Sequence, residues 1–265
     1  AERLPRYFGE PFADSSAVPM YLVSKLARQY VTVALSGDGG DELFAGYSWL
    51  HMDRHVKRYR RVPRFIRRGI DSLLMLSPRK PTVEKLRRFS RDAFMEPYAS
   101  FRRRHQTYTP EQRQRLLHAD VRQAAQEAAI DRWKEHGAAA GDISPDDWTL
   151  YQDTVMYLPD DILTKVDRMS MANGLEVRVP LLDHRMVEFA ASLPFHLKVS
   201  NGTGKRVMRR ALQGELPAQI LRPRKQGFSI PIHRWFRGEL REMLHDTVLS
   251  PKARLATYCE PATIK

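Results

Sequence analysis

The sequence predicts a mainly α-helical chain with one or two short strands, a piece of an α/β fold. Three observations predict this. A helix, a strand, a glycine loop and a second helix follow one another over about 45 residues near the start, which is one unit of a parallel α/β sheet. The long remainder carries apolar residues at helical spacing, broken by prolines. Further strand-like runs are scarce, and one unit cannot cover both faces of its own sheet.

The elements read in order as follows. DSSAVPMYLVSKLARQY offers Asp14, Ser15 or Ser16 as an N-cap and Pro19 in the first turn, and Met20, Leu22, Val23 and Leu26 form an apolar stripe. VTVAL (31–35) is a β-branched apolar run closed by SGDGG, as a buried strand would be. DELFAGYSWLHMDRHVKRY then reads as one helix with Asp41 and Glu42 in its first turn, where the macrodipole favours acids. Residues 63–140 are basic helices with proline breaks. Thr109 precedes Pro110 as an N-cap, and AAQEAAIDRWKEHGAAAGD is an alanine-rich helix ended by glycine. Helices are expected at about 146–157, 160–173 and 183–192, with Val179-Pro180 forcing an extended break. Two more are expected at about 203–212 and 231–249. No internal repeat is visible.

Composition narrows the class. At 265 residues and 42% hydrophobic, the chain can bury one sizeable core, or a core with a helical appendage. No stretch approaches the roughly 20 apolar residues of a membrane helix, so no membrane is expected among its partners. AERLPRYFGE has no apolar signal region, and the chain begins at Ala1 rather than Met, as an excised or processed piece would. A single cysteine, Cys259, excludes an internal disulfide, and no Cys/His cluster offers a zinc site. A cytoplasmic setting is expected, with Cys259 an incidental thiol. Lys plus Arg exceed Asp plus Glu by 44 − 31 = 13. Residues 51–70 alone hold eight Lys/Arg against one acid. Such a run suits a solvated helix face or a docking surface. It also suits a basic helical module that binds nucleic acid, although base-free charge specifies little.

The chemistry concentrates in a few places. In LSGDGGDE (35–42) a strand ends, glycines free the backbone, and Asp38 and Asp41 flank the next helix start. Main-chain N–H groups there can turn towards an anion, and carboxylates beside a phosphate call for Mg²⁺ between them. A plain strand-to-helix turn capped by Asp is the alternative. GTGKR (202–206) is not a Walker loop, because Val199 stands where its first glycine should be and Arg206 where Ser or Thr should be. Lys205 and Lys225 lie on glycine-bearing loops, NGTGKR and RPRKQGFS, as phosphate clamps do and as many surface lysines also do. Within LTKVDRMSMANGLEVRVPLLDHR (163–185), Lys165, Asp167, Arg168, Glu176, Arg178 and Asp183 are too many charges for an apolar face unless they pair. They form either a structural ion-pair network or the floor of an active site.

Taken together, SGDGGDELFAGY, YLPDDILTKVDRMSMANGLEVRVPLLDHR and RKQGFSIP resemble the synthetase domain of glutamine-dependent asparagine synthetases, over about 10–60 and 145–245. The resemblance implies an adenine nucleotide α-hydrolase-like (ATP pyrophosphatase) fold with a parallel sheet. Residues 1–265 would be the carboxy-terminal part of one such domain, with 63–140 a variable helical insertion. It implies a carbon–nitrogen ligase that uses ATP and Mg²⁺. A carboxylate is adenylated, and glutamine-derived ammonia attacks it, releasing AMP and pyrophosphate. Aspartate is the default acceptor. β-Lactam synthetases, lasso-peptide cyclases and sugar amidotransferases resemble the same frame with other acceptors.

Carried over residue by residue, Ser36 and Gly37 match the family's ATP-contacting pair. Asp38 stands where the family usually has Glu, a position important for adenylate formation, and is one methylene shorter. Asp41 matches the Mg²⁺-binding acid. Lys205 and Lys225 match two lysines near pyrophosphate, Lys225 resembling the one that stabilises the transition state. Glu176 and Arg178 fall in the ExRVPxLD segment near the acceptor pocket. The family's SGGxDS loop does not occur in these 265 residues, and position 1 is Ala rather than the cysteine that opens the glutaminase domain. The opening strands and that loop are expected upstream, and the piece alone is expected to be inactive. Its expected partners are the carboxylate acceptor, the amino-terminal glutaminase domain and a second copy of the chain, but not nucleic acid.

Overall fold

A computed structural model describes residues 4–78, 80–95, 107–128, 132–200, 202–221, 228, 230–250 and 252–264. Helix α1 (Ala17–Ala27) starts where Asp14 closes the preceding turn. Its Oδ1 accepts the Ser16 amide at 2.9 Å and its Oδ2 the Ser16 hydroxyl at 2.6 Å. Strand β1 (Val33–Leu35) pairs in parallel with β2 (Glu176–Arg178), Val33 opposite Glu176, Ala34 opposite Val177 and Leu35 opposite Arg178. The ladder runs on at both ends, Glu176 N–H donating to Thr32 O and Ser36 N–H to Arg178 O, each at 2.9 Å. These are the two strands among the described residues, and the chain is otherwise mainly helical, as the sequence predicts.

Each strand follows a helix, and those two helices pack on each other. α1 lies against the helix Thr164–Met171. Ala17 and Ser24 are its buried residues, facing a helix that buries Val166, Met169 and Ser170. Small side chains on one partner let the axes approach closely. Asn173 Nδ2 donates to Tyr21 O at 3.3 Å and to Met169 O at 2.9 Å, tying the ends. The stripe expected to face the core does not: Leu22 is 58% exposed, and Val23 and Leu26 are exposed as well. Nor is β1 buried, since Leu35 is 74% exposed. Two strands present too little area to cover these residues once the helices have packed through their small-residue face.

The second helix of the opening unit is broken. α2 (Gly40–Leu43) is a single turn. Ala45 takes a left-handed φ of 58°, which turns the chain so that Gly46 N–H reaches Asp41 O at 2.8 Å. Helix resumes as α3 (Trp49–Arg60), followed by α4 (Arg64–Leu76) and α5 (Pro81–Phe94), which packs on both. Much of the basic run is structural. Arg60 donates to the carbonyls of Asp92, at 3.0 Å, and Met95. Arg67 donates to Ala93 O at 2.7 Å, and Arg87 to Leu74 O at 2.9 Å and Ser77 O at 2.7 Å. These carbonyls sit at the C-terminal ends of α5 and α4, where the last turn of a helix has no internal donor, so arginines complete them. Lys57 pairs with Asp146.

Residues 145–171 form one helical run instead of the two helices expected. Ser144 caps it, its hydroxyl accepting Asp147 N–H at 3.1 Å. The run is α over Pro145–Gln152, π over Asp153–Leu163 and α again from Thr164. Pro159 lies inside the π stretch. A proline lacks the N–H and crowds the carbonyl one turn back, and the wider π turn lets the helix pass it. Asp183 caps the helix His184–Ser192. The expected 231–249 helix divides at Gly238 into Ile232–Arg237 and a second piece starting at Arg241. Cys259 is buried, bridged antiparallel to Leu117, and burial pushes its thiol up, away from reactivity.

Two apolar clusters complete the core. Ala45, Tyr47 and Leu50 meet Leu150 and Val199, and Leu43 and Phe44 meet Ala190. Met169 has no exposed surface. Met169→Ala should therefore destabilise the chain by roughly 2–5 kcal/mol in urea denaturation. Phe65→Ala, at a side chain 75% exposed, should change it by less than about 0.5 kcal/mol.

Candidate active site

Ser36, Gly37, Asp38 and Asp41 leave the C-terminal end of β1 and line one wall of a cleft of about 500 Å³. Asp14 to Ser16 and Met20, Gly39, Glu42 and Tyr47, Tyr157, Ile162, Lys165 and Val166, and Phe228 line the rest. Ligands of open α/β sheets bind at this end of the strands. A Cβ on Gly37 would meet nothing within 4 Å, so its backbone faces open cleft. Asp38 does not project far. Its carboxylate accepts the Ser36 hydroxyl, and its amide donates to Ser36 Oγ at 3.2 Å.

Asp41 is met from a distant part of the sequence. Lys205 Nζ lies 2.9 Å from its Oδ1, with both side chains about 30% exposed or less. Lys205 N–H donates to Phe44 O at 2.8 Å, so main chain as well as side chain is bound to the Asp41 turn. Lys205 has φ 55°, in the left-handed region, which costs a residue with a Cβ roughly 1–2 kcal/mol. Strain of this kind persists where the surroundings impose it, often at functional sites.

Opposite lies a second charged group that the three sequence blocks do not bring together. Lys165 Nζ sits 2.6 Å from Asp14 Oδ2. Burial pushes the Asp14 carboxyl up, but hydrogen bonds from Lys165 and Ser16 outweigh it and hold it below its ordinary range. Asp161 is pushed the other way, to about 6, first by burial and then by repulsion from Asp14, against the pull of Lys165. Glu42, only 2% exposed, is raised by burial despite the hydrogen bond it accepts from the Tyr47 hydroxyl, with Asp41 and Asp38 adding repulsion. Burial and Glu42 also raise Tyr47, whose ring stacks on Trp49 at 3.8 Å.

Of the residues singled out in the sequence, Ser36, Gly37, Asp38, Asp41 and Lys205 come together here. Lys225 lies outside the described residues. Glu176 and Arg178 are exposed, pair with each other at 2.8 Å, and do not line the cleft. Asp183 pairs with Arg185 at its helix start. Sequence reasoning noted Lys165 only among paired charges and missed Asp14, Asp161, Glu42 and Tyr47. The dense run of acids in YLPDD, beside a lysine one turn on, was the available signal for Asp161.

Mg²⁺ arriving with a nucleotide would meet one carboxylate of the cleft, Asp41. No group of three or more ligating side chains exists among the described residues. Asp41 nevertheless already holds a cation, the Lys205 ammonium standing where a metal would be held. One carboxylate plus phosphate oxygens is an ordinary Mg²⁺ environment.

A helix–strand pair repeated in parallel, with a glycine loop and convergent charges at its carboxyl end, defines an α/β-type cleft. Comparison with known proteins gives it a family. The asparagine synthase family matches residues 1–265. Asparagine synthetase [glutamine-hydrolyzing] 1 of Bacillus subtilis is 31% identical over 242 residues, 91% of this chain and 37% of that protein. A putative asparagine synthetase [glutamine-hydrolyzing] of Mycobacterium tuberculosis is 33% identical over 256 residues, 93% of this chain and 37% of that protein. The chain belongs to the asparagine synthase family, and it spans a little over a third of the length of these curated relatives.

Asp161 gives the site a pH signature. A carboxyl whose folded pKa lies above its unfolded value binds its proton more tightly in the fold. Its contribution is complete below the unfolded value and is lost as pH rises through about 6. Asp161→Asn stays neutral throughout. Its stability relative to the parent should rise by roughly 1–2 kcal/mol between pH 4 and pH 8. Thermal unfolding at both pH values checks this, and a flat difference would contradict it.

Proposed function

We propose that the chain is the carboxy-terminal part of the synthetase domain of a glutamine-dependent, ATP-using, amide-forming ligase. A carboxylate attacks the α-phosphorus of ATP, pyrophosphate leaves, and ammonia then displaces AMP from the acyl-adenylate. The observation that carries this reading is the Lys205–Asp41 ion pair beside the Ser36–Asp38 loop. Residues 164 positions apart by 205 − 41 meet at the open end of a parallel strand pair, as handling a polyphosphate requires.

In this reading Ser36 and Gly37 approach the nucleotide, the latter because nothing of the chain occupies the space over its Cα. Asp41 would hold Mg²⁺, which when bound supplies charge neutralisation at the phosphates. Lys205 and Lys225 neutralise the departing pyrophosphate, Lys225 in the transition state. Asp38 acts at the adenylation centre with a shorter reach than Glu, and its bond to Ser36 draws it towards the loop. Lys165 and Asp14 form a charged wall of the cleft that the acceptor would meet, with Asp161 adding its repulsion to Asp14. Glu176 and Arg178 would bear on the acceptor through β2, whose carbonyl at Arg178 holds Ser36 N–H.

Aspartate is the default acceptor, with β-lactam, lasso-peptide or sugar-type acceptors as the alternative that the Asp38 departure keeps open. A nucleic-acid role is disfavoured because Lys57, Arg60 and Arg67 spend their charge on the chain's own acid and carbonyls. Ammonia would come from a glutaminase domain elsewhere in the whole protein. The 265 residues alone, lacking SGGxDS, should release no pyrophosphate.

The test is acceptor-dependent ATP–pyrophosphate exchange by the whole protein, run with aspartate and then with other carboxylates. Lys225→Ala should abolish exchange with every acceptor while glutamine hydrolysis continues. Amide synthesis retained in that variant would refute the assigned role, and no exchange by the parent with any carboxylate would refute the reading.

A further inference from the structure

The way Lys205 is seated points to a function beyond clamping phosphate. Two segments cross there with almost no space between them. A Cβ on Gly204 would fall 1.9 Å from Ala45 O, and a Cβ on Gly46 would fall 1.7 Å from Asp41 Oδ1 and 2.5 Å from Lys205 Cε. Glycine is the residue that admits such an approach. Around this crossing the chain is tied by backbone bonds, Lys205 N–H to Phe44 O and Gly46 N–H to Asp41 O, both at 2.8 Å. Arg209 closes the far side, its Nε donating to Gly204 O at 3.1 Å. The Cα of Lys205 is therefore fixed, and its four-carbon stem passes over Gly46 to carry the ammonium to Asp41.

We infer that Gly46 and Gly204 are positioning residues that seat Lys205 as the resident counter-ion of Asp41, to be given up when a metal-bearing nucleotide takes over that carboxylate. The inference rests on the proposed function. Physically, an ammonium 2.9 Å from Asp41 Oδ1 and a divalent cation on the same oxygen exclude one another by charge and volume. Released Lys205 keeps its anchor and needs only a side-chain rotation to meet a phosphate oxygen. The same contact keeps the site's carboxylate neutralised before the nucleotide binds, and delivers a cation to the polyphosphate when it does.

The experiment measures the labelling rate of Lys205 by an amine-reactive reagent, read by mass spectrometry on the whole protein without ligand. Asp41→Asn should raise the rate about fivefold, the equivalent of a pair worth about 1 kcal/mol. Gly204→Ala should raise it similarly, whereas Gly69→Ala, where a Cβ meets nothing within 4 Å, should leave it unchanged. Labelling of Asp41→Asn at the parent rate would overturn the proposal, and does so even if Gly204→Ala fails to fold. A second arm measures affinity for Mg²⁺ with a non-hydrolysable ATP analogue. Gly204→Ala should weaken it by ten- to a hundredfold, since misplacing a group by about 1 Å costs on that order. Added to Lys205→Met, Gly204→Ala should have no further effect, because the glycine acts through the lysine. Additive losses would overturn the positioning role. Labelling changes in a protein that binds no analogue would instead leave the seat standing and remove the nucleotide reading.

Discussion

The parallel pairing of β1 with β2 is the constraint on which the other features depend. It is short, three registered pairs with one hydrogen bond beyond each end. It is nevertheless backed by a second pairing of the helices that lead into the strands, α1 and Thr164–Met171. Helix packs on helix and strand on strand, so two units far apart in sequence are held in one register. Ser36 leaves β1 on the bond it donates to Arg178, and Pro180–Leu182 leaves β2 beside it. Leu182 then packs against the cluster of Leu43, Phe44 and Ala190, which steadies the turn carrying Asp41. A slip of one residue would move Ser36 off its partner and reverse every side chain along the strand.

Charge in the cleft runs against charge in the whole chain. The protein carries a net +13, yet its cleft is lined by Asp14, Asp38, Asp41 and Glu42. A polyphosphate entering such a wall would be repelled unless cations intervene. Three of these acids are already managed without a ligand. Asp14 has Lys165, Asp41 has Lys205, and Glu42 is pushed by burial towards its protonated form. Two of the four acids thus face an ammonium group each, which lowers the negative charge of the cleft wall. Elsewhere three of the arginines, Arg60, Arg67 and Arg87, meet the carbonyls at the ends of α4 and α5.

Sequence was most informative where chemistry is local. The SGDGGDE turn, its strand and the capped start at Thr109 follow from neighbours in the chain. It was less informative where the partner is remote. VTVAL has the composition of a buried strand, but burial depends on how many strands lie beside it, and no local pattern states that. DELFAGYSWL has helical spacing throughout, and the break at Ala45 arises because the 204–205 loop bonds to Phe44 O and fills the place of the next turn. Helices were expected at about 146–157 and 160–173, whereas a π turn carries one helix through Pro159 between them. The acids opposite Asp41 were hidden for the same reason: Asp14 gains its meaning only from Lys165, reached through the packing of α1.

Ala45 and Lys205, the two non-glycine residues in left-handed conformation among the described residues, meet at one crossing. Their neighbours Gly46 and Gly204 are the glycines whose added Cβ would collide with that crossing. The division follows from two separate demands. Where space is missing, only glycine fits, whatever its φ. At 205 space is present but the conformation is unfavourable, and glycine would relieve it. Glycine there would also remove the ammonium from Asp41. A lysine held at φ 55° is thus the outcome expected when the side chain is needed for charge and the backbone is dictated by the crossing. The left-handed φ at Lys205 sets that position apart independently of the glycine-bearing loop and of the resemblance through which the sequence singled it out.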